Sequence, residues 1–309
     1  MKFPAKTVTS TVLTVLTFFA GVMLYQGTAE SRTLVIGRVS NNPAKNYAEL
    51  KPLVDYVAAH MKDLGVTEGA VLLAKNKEEM TRLFLEGKVD WATKGIFQAL
   101  YYVQASNAEM LLRSWREGVP SYYTVIFARK DHGIRSLNDL KGKKIAFQDR
   151  GSTSAYFVPL AMFKQAGFEL TELDSPRSKV PPGQVGFAFA REELNIATWV
   201  HQKIADAGAF HNQDWDNPEH NPEGMKQDMT IIQKSKPLPR MIEVVKKDLE
   251  PNIKMRLKEI LLKVHEDPNA KQALKSYSAT AKFDDIEGEA KAGVEEARRM
   301  MKFIGPELR

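Results

Sequence analysis

The 309-residue chain contains no cysteine. This excludes disulfide staples, thiolate metal sites, a cysteine nucleophile and a lipid anchor on a cysteine. The six histidines, among them His60, His132 and His265, show no pair at the helical offset that a zinc site needs. No Gly-x-Ser-x-Gly elbow is present, and no nucleic-acid-binding motif. Enzyme chemistry, a cofactor, a metal and a nucleic-acid partner are therefore not expected. Apart from one N-terminal stretch there is no long apolar run, so a polytopic membrane protein is excluded as well.

With 43% hydrophobic and 27% charged residues the chain has the make-up of a soluble globular protein with a sizeable core. Its length suits one large domain or two ordinary ones. The net charge is +6, of which Lys2 and Lys6 supply +2, and no acid precedes Glu30. The remaining basic residues are spread along the chain, which fits a solvated surface or a small anionic ligand. Lys2 and Lys6 precede an uncharged run from Thr7 to Ala29, with small residues at Gly27 and Ala29. That order describes a secretory signal cleaved after Ala29. The run is also long enough for an uncleaved anchor at about twenty residues per span. Either way the globular part is expected outside the cytoplasm, in the periplasm, touching the membrane only through this segment.

Behind it, strands and helices alternate. Thr33–Gly37, Gly69–Ala74 and the stretch into Ala92 have the β-branched, Gly-bounded look of buried strands. Tyr47–Leu64 and Lys77–Leu85 carry apolar residues at helical spacing between them. The pattern restarts with a strand over Tyr122–Ala128, a capped turn at Ser136–Leu140, a strand at Lys144–Phe147 and a helix over Ser154–Ala166. Weak strands are expected at Glu193–Thr198 and Met229–Ile232, and a surface loop or insertion at His211–Gln227. From Leu249 onward the chain looks mostly helical, with Ile253, Met255, Leu257, Ile260, Leu261 and Val264 as one stripe and a last helix over Ala290–Phe303. Two α/β halves and terminal helices predict two lobes: residues 30–118, then 119–234, then a return over 235–309. A ligand would sit between them, at the carboxyl ends of the strands.

The segment most informative about chemistry runs from Ile145 to Tyr156. A strand ends, Gly151 turns, and Ser152, Thr153 and Ser154 open a helix. The first N–H groups of a helix lack internal partners and lie at the positive end of its dipole. With hydroxyls added, this is an anion seat; a simple helix cap is the competing reading.

The stretch from Arg129 to Phe147, followed by Gly151–Ser154 and Phe157–Pro159, resembles the second lobe of type II periplasmic binding proteins. Within these it is similar to the phosphate, phosphite and phosphonate binders of ABC importers. Gly87–Asp90 and His265–Pro268 agree, and the similarity runs from Leu34 to Phe303. It implies a two-lobed α/β fold, each lobe a mainly parallel sheet flanked by helices, with a hinge between. It also implies a monomer that passes a small oxyanion to a permease; relatives that report to a membrane sensor kinase are the alternative. Carried over residue by residue, Ser152, Thr153 and Ser154 would hold the oxyanion. Lys77 and Lys94 fall where the family has aromatic contacts, and Tyr122, opening the strand after the crossing, joins them as a candidate contact. Gln202 and Met241 fall near the family's amine-binding acids, and Pro182 where it has a histidine. The resemblance therefore predicts an oxyanion without an amine.

Overall fold

Leu34, Val35 and Ile36 present apolar side chains to both faces of an extended run, and that run is β1 (Arg32–Val39). Leu34 and Ile36 pack in one core cluster, while Val35 packs against another on the opposite face. This two-sided burial is what a strand between helical layers requires. The computed structural model describes Met1 and residues 31–305. The signal or anchor read at residues 1–29 lies, apart from Met1, outside the described residues.

After β1 come α1 (Pro43–Ala59), β2 (Val66–Ala74), α2 (Lys77–Leu85), β3 (Trp91–Lys94), α3 (Ile96–Ser106) and β4 (Glu109–Arg116). Asn42 caps α1 by accepting from the Lys45 N–H, with Pro43 at the first helical position, so the helix starts four residues before its apolar stripe suggests. A two-residue strand, β5 (Ser121–Tyr122), leads to β6 (Thr124–Arg129), β7 (Lys144–Phe147), α4 (Val158–Gln165), β8 (Leu170–Glu172) and β9 (Val185–Phe189). Next follow α5 (Glu193–His201), β10 (Ala207–His211), α6 (Asn212–Asp216), α7 (Glu223–Lys226), β11 (Met229–Lys234) and β12 (Leu238–Pro239). The chain ends with β13 (Met241–Val245), α8 (Pro251–Lys263), α9 (Lys271–Ser276), β14 (Thr280–Asp284) and α10 (Gly288–Ile304).

These strands form two six-stranded sheets, ordered β14-β4-β13-β3-β1-β2 and β11-β6-β10-β7-β9-β8. Each is mixed. In the first, β1 runs parallel to β2 and β3, while β13 is antiparallel to both β3 and β4. In the second, β7, β8, β9 and β10 run parallel, and β6 is antiparallel to β10 and β11. The short strands β5 and β12 pair antiparallel as a ribbon where the chain leaves the first sheet and returns to it. Over this ribbon lies α10, so close at Gly293 that a Cβ there would fall 2.7 Å from Pro239 Cδ. Its Ala297, Met300 and Met301 share a core cluster with Leu100 of α3 and Leu160 of α4. The fold is thus α/β and two-lobed, with one terminal helix packed against both halves.

Three readings change. Glu193–Thr198 is helical, because Ile196, Ala197 and Val200 bury one helical face despite their partly β-branched make-up. The polar stretch from His211 contains α6 and α7 rather than being plain loop. The mostly helical tail includes one strand, β14, at the edge of the first sheet, and Met255 is 68% exposed, off the stripe that Ile253, Leu257 and Leu261 bury. Among the described residues no helix is long and apolar enough to cross a membrane.

Candidate functional site

Two helix starts face each other between the lobes. On the first lobe β3 ends at Lys94, and Gly95 opens α3 with no side-chain cap. On the second, β7 ends at Phe147, and a π-type turn, Thr153–Phe157, leads into α4. The Ser152 hydroxyl accepts from the Ala155 N–H at 3.2 Å, so Ser152 is a cap; its hydroxyl hydrogen stays free to donate to a ligand. Ser154 is buried, its carbonyl accepting from Thr124 Oγ1 at 2.8 Å. A Cβ on Gly95 would lie only 2.7 Å from Thr153 Oγ1. Glycine is therefore what allows the two helix starts to approach, and both dipoles place positive potential at that point.

Around them opens a cleft of about 700 Å³. Its wall includes Lys94, Tyr122, Ser152, Thr153 and Ser154 together, so five of the six candidates meet there. Lys77 does not line it. It opens α2 behind β2, the outermost strand of the first sheet, and its Nζ lies 5.5 Å above the Tyr101 ring and 3.6 Å from Glu78.

Lys94 is set deep enough that desolvation pulls its pKa down to about 8, helped by the charge of Arg38 and opposed by Asp149 of the second lobe. Burial raises the Tyr122 pKa, while the Arg240 charge opposes that rise. Tyr122 is thus a neutral phenol whose ring lies under the Arg240 guanidinium, 4.8 Å from its carbon.

The segment expected to be loop supplies the far wall. Asp214 sits between two histidines, with His220 Nδ1 at 2.7 Å and His211 Nε2 at 3.0 Å. Burial pushes the Asp214 carboxyl up to about 6, Glu193 adding to the rise and His220 opposing it. Burial likewise pulls His211 down to about 3, helped by Arg240 and Arg116. His211 is therefore neutral. Its Nδ1 accepts from the Asp214 N–H at 3.2 Å, which leaves the proton on Nε2, facing the Asp214 carboxylate.

Sequence reasoning missed these residues and also Arg240 and Arg116. It further expected an acid-free cleft, yet Glu117, Glu192, Glu193 and Asp214 all line it. Glu193, Asp214 and Glu117 come from segments read as weak strand, loop and crossing, whereas Gln202 merely closes α5 and Met241 does line the cleft. The absence of acids therefore gives no argument against an amine-bearing ligand.

Residues 37–290 match the family model for the ABC transporter, phosphonate, periplasmic substrate-binding protein. The phosphonates-binding periplasmic protein of Escherichia coli K12 is 26% identical over 252 residues, covering 79% of this chain and 70% of that protein. Two solved structures of XAC2383 from Xanthomonas citri, one bound to chloride and one to ATP, are 32% identical, with TM-scores of 0.81 and 0.80. They cover 89% of this chain and 99% and 100% of theirs. PhnD1 of Prochlorococcus marinus, solved with methylphosphonate, shares the fold at TM-score 0.60 and 17% identity, covering 88% of this chain and 99% of its own. The facing helix starts fall within the matched span, which covers most of the chain, and the chain belongs to the periplasmic phosphonate substrate-binding proteins of ABC transporters.

Proposed function

We propose that the chain captures a tetrahedral phosphorus oxyanion (phosphate, phosphite or a simple phosphonate) at the two facing helix starts, for delivery to an importer's permease. The lobes of this reading are residues 30–118 with 235–309, and residues 119–234, closing about the β5–β12 ribbon. The observation that carries it is the approach of Gly95 to Thr153, which brings two positive helix ends to one point with Lys94 beside them. Oxyanions suit such a seat because helix N–H groups, hydroxyls and an ammonium all donate. The chloride and ATP in the two XAC2383 structures are anions as well, which supports an anion-holding cleft.

Calorimetry with phosphate, phosphite and methylphosphonate tests this. Lys94→Ala is expected to weaken binding roughly ten- to a hundredfold, the worth of one charge-assisted hydrogen bond. An anion stabilises the charged lysine, so the bound pKa lies above the free value of about 8. Binding then takes up a proton above that pH, and affinity falls as pH rises, by at most about tenfold per unit. The fall should vanish in Lys94→Ala. Equal affinities and parallel pH profiles for the two proteins would contradict the proposal.

A further inference from the structure

Arg240 stands between β12 and β13, at the point where the chain re-enters the first sheet. Its backbone N–H donates to the Pro120 carbonyl at 2.8 Å, tying the return crossing to the outgoing one. The side chain is 9% exposed and lines the cleft, so a full positive charge is held there almost out of water. Such a charge needs partners. Its guanidinium carbon lies 4.8 Å from the Tyr122 ring centre, over the face, which fixes the plane of the group. Nη2 reaches Glu117 Oε2 at 3.3 Å, and Nε is buried without a hydrogen-bond partner.

Glu117 is a weak counter-ion. Its side chain is 53% exposed, and its other oxygen faces Arg116 Nε at 3.3 Å. Two cleft-lining arginines thus share one carboxylate, leaving one positive charge over. That surplus reaches into the cleft, since Arg240 and Arg116 both disfavour the charged form of neighbouring His211. Tyr122, whose ring the guanidinium covers, lines the same cleft as Thr153 of the second-lobe helix start.

We propose that Arg240 is the specificity-determining residue of the cleft, a guanidinium at the inter-lobe ribbon that selects a doubly ionised phosphorus oxyanion over a singly ionised one. The inference rests on the anion-capture reading above and deepens it. The planar, multi-donor group suits two oxygens of a tetrahedral head. Going from one ligand charge to two doubles the Coulomb attraction to the surplus cation, whereas the neutral donors of the helix starts respond less. The ligand takes the place that exposed Glu117 fills weakly, and because both crossings hold Arg240, ligand charge acts where the lobes hinge.

The test is calorimetry with phosphate, methylphosphonate and the singly charged monomethyl ester of methylphosphonate. Wild type should prefer the two dianions. Arg240→Gln should lose tenfold or more for them and only a few-fold for the ester, so the preference shrinks. Arg240→Lys, keeping charge but not the planar fork, should remain below wild type. Glu117→Gln, which removes the competing carboxylate at an exposed position, should bind dianions several-fold more tightly. Melting temperatures show whether each variant is folded. A folded Arg240→Gln with wild-type affinity and preference overturns the inference. Should Arg240→Gln not fold, an unchanged affinity in Glu117→Gln overturns it. If Lys94→Ala loses affinity and Arg240→Gln does not, the cleft reading stands and this one falls. If wild type binds none of the three anions, both fall together.

Discussion

Gly95→Val is expected to weaken oxyanion binding by about a hundredfold or more while barely moving the melting temperature. The backbone at Gly95, with φ −58° and ψ 154°, is open to any residue, so a side chain there brings no strain of its own. As a helix cap, glycine holds only a modest advantage over an apolar residue, on the order of 1 kcal/mol. The effect comes from the other lobe. A Cβ would meet Thr153 Oγ1 at 2.7 Å and Thr153 Cβ at 3.8 Å, and valine adds two methyl groups beyond that. Either Thr153 turns away or the helix starts separate. Both outcomes remove donors from one side of the ligand, and two charge-assisted bonds at roughly 1.5–3 kcal/mol each amount to a hundredfold or more. Gly95→Ala should fall between, and adding Thr153→Ala should restore part of what Gly95→Ala alone loses, a coupling that a double-mutant cycle measures. Calorimetry with phosphate and a thermal melt read the two quantities. Wild-type affinity in Gly95→Val would show that the ligand does not need both helix starts.

Glu243→Ala should lower stability by about 3–5 kcal/mol. Glu243 is completely buried in β13, where its Oε2 accepts from Trp91 Nε1 at 2.6 Å and from the Tyr277 hydroxyl at 2.8 Å. Removing it leaves both donors buried and unpaired, at about 1–3 kcal/mol each, and opens a cavity besides. Burial raises the Glu243 pKa, against the opposing hydrogen bonds from Trp91 and Tyr277. A carboxyl whose folded pKa exceeds its unfolded value contributes stability that is fully present below the unfolded pKa. That contribution is lost as pH rises toward the folded pKa. Stability should therefore decline from mildly acidic pH upward. Glu243→Gln, which keeps an acceptor but cannot ionise, should flatten the curve and hold most of the stability. Urea melts at several pH values decide it; an alanine variant within about 1 kcal/mol of wild type would refute the account.

The second-lobe helix start was legible because its signal is local: Lys144–Phe147 is a short apolar strand, and Gly151–Ser154 follows it directly. Lys77 and Lys94 looked alike in sequence. Strand order separates them, since β3 lies inside the first sheet and β2 at its edge, and order is a property of the whole sheet. Arg240 sits in a Pro-flanked crossing, far along the chain from Thr153, so nothing local marks it as a cleft residue. His211, Asp214 and His220 lie in a polar, Pro-rich stretch whose composition is that of a loop, and only the return of β10 to β7 carries them to the cleft. Glu243 broke the expectation that strand interiors are apolar. Its burial depends on Trp91 and Tyr277, each from a distant part of the chain.

The placement of β13 between β3 and β4 has a consequence for the order of assembly. Every strand of the second sheet falls within one continuous stretch, β6 to β11, so that sheet borrows no strand from the rest of the chain. The first sheet cannot be completed until β13 exists, and the Trp91–Glu243 bond inside it closes a separation of 152 residues. Closing so long a loop is entropically unfavourable, and such non-local pairings form slowly. A folded second lobe shortens the gap, because the β5–β12 ribbon brings its two ends together. A folded second lobe should thus serve as the template on which the first is finished, and a lesion in β6–β11 should delay the first lobe's assembly.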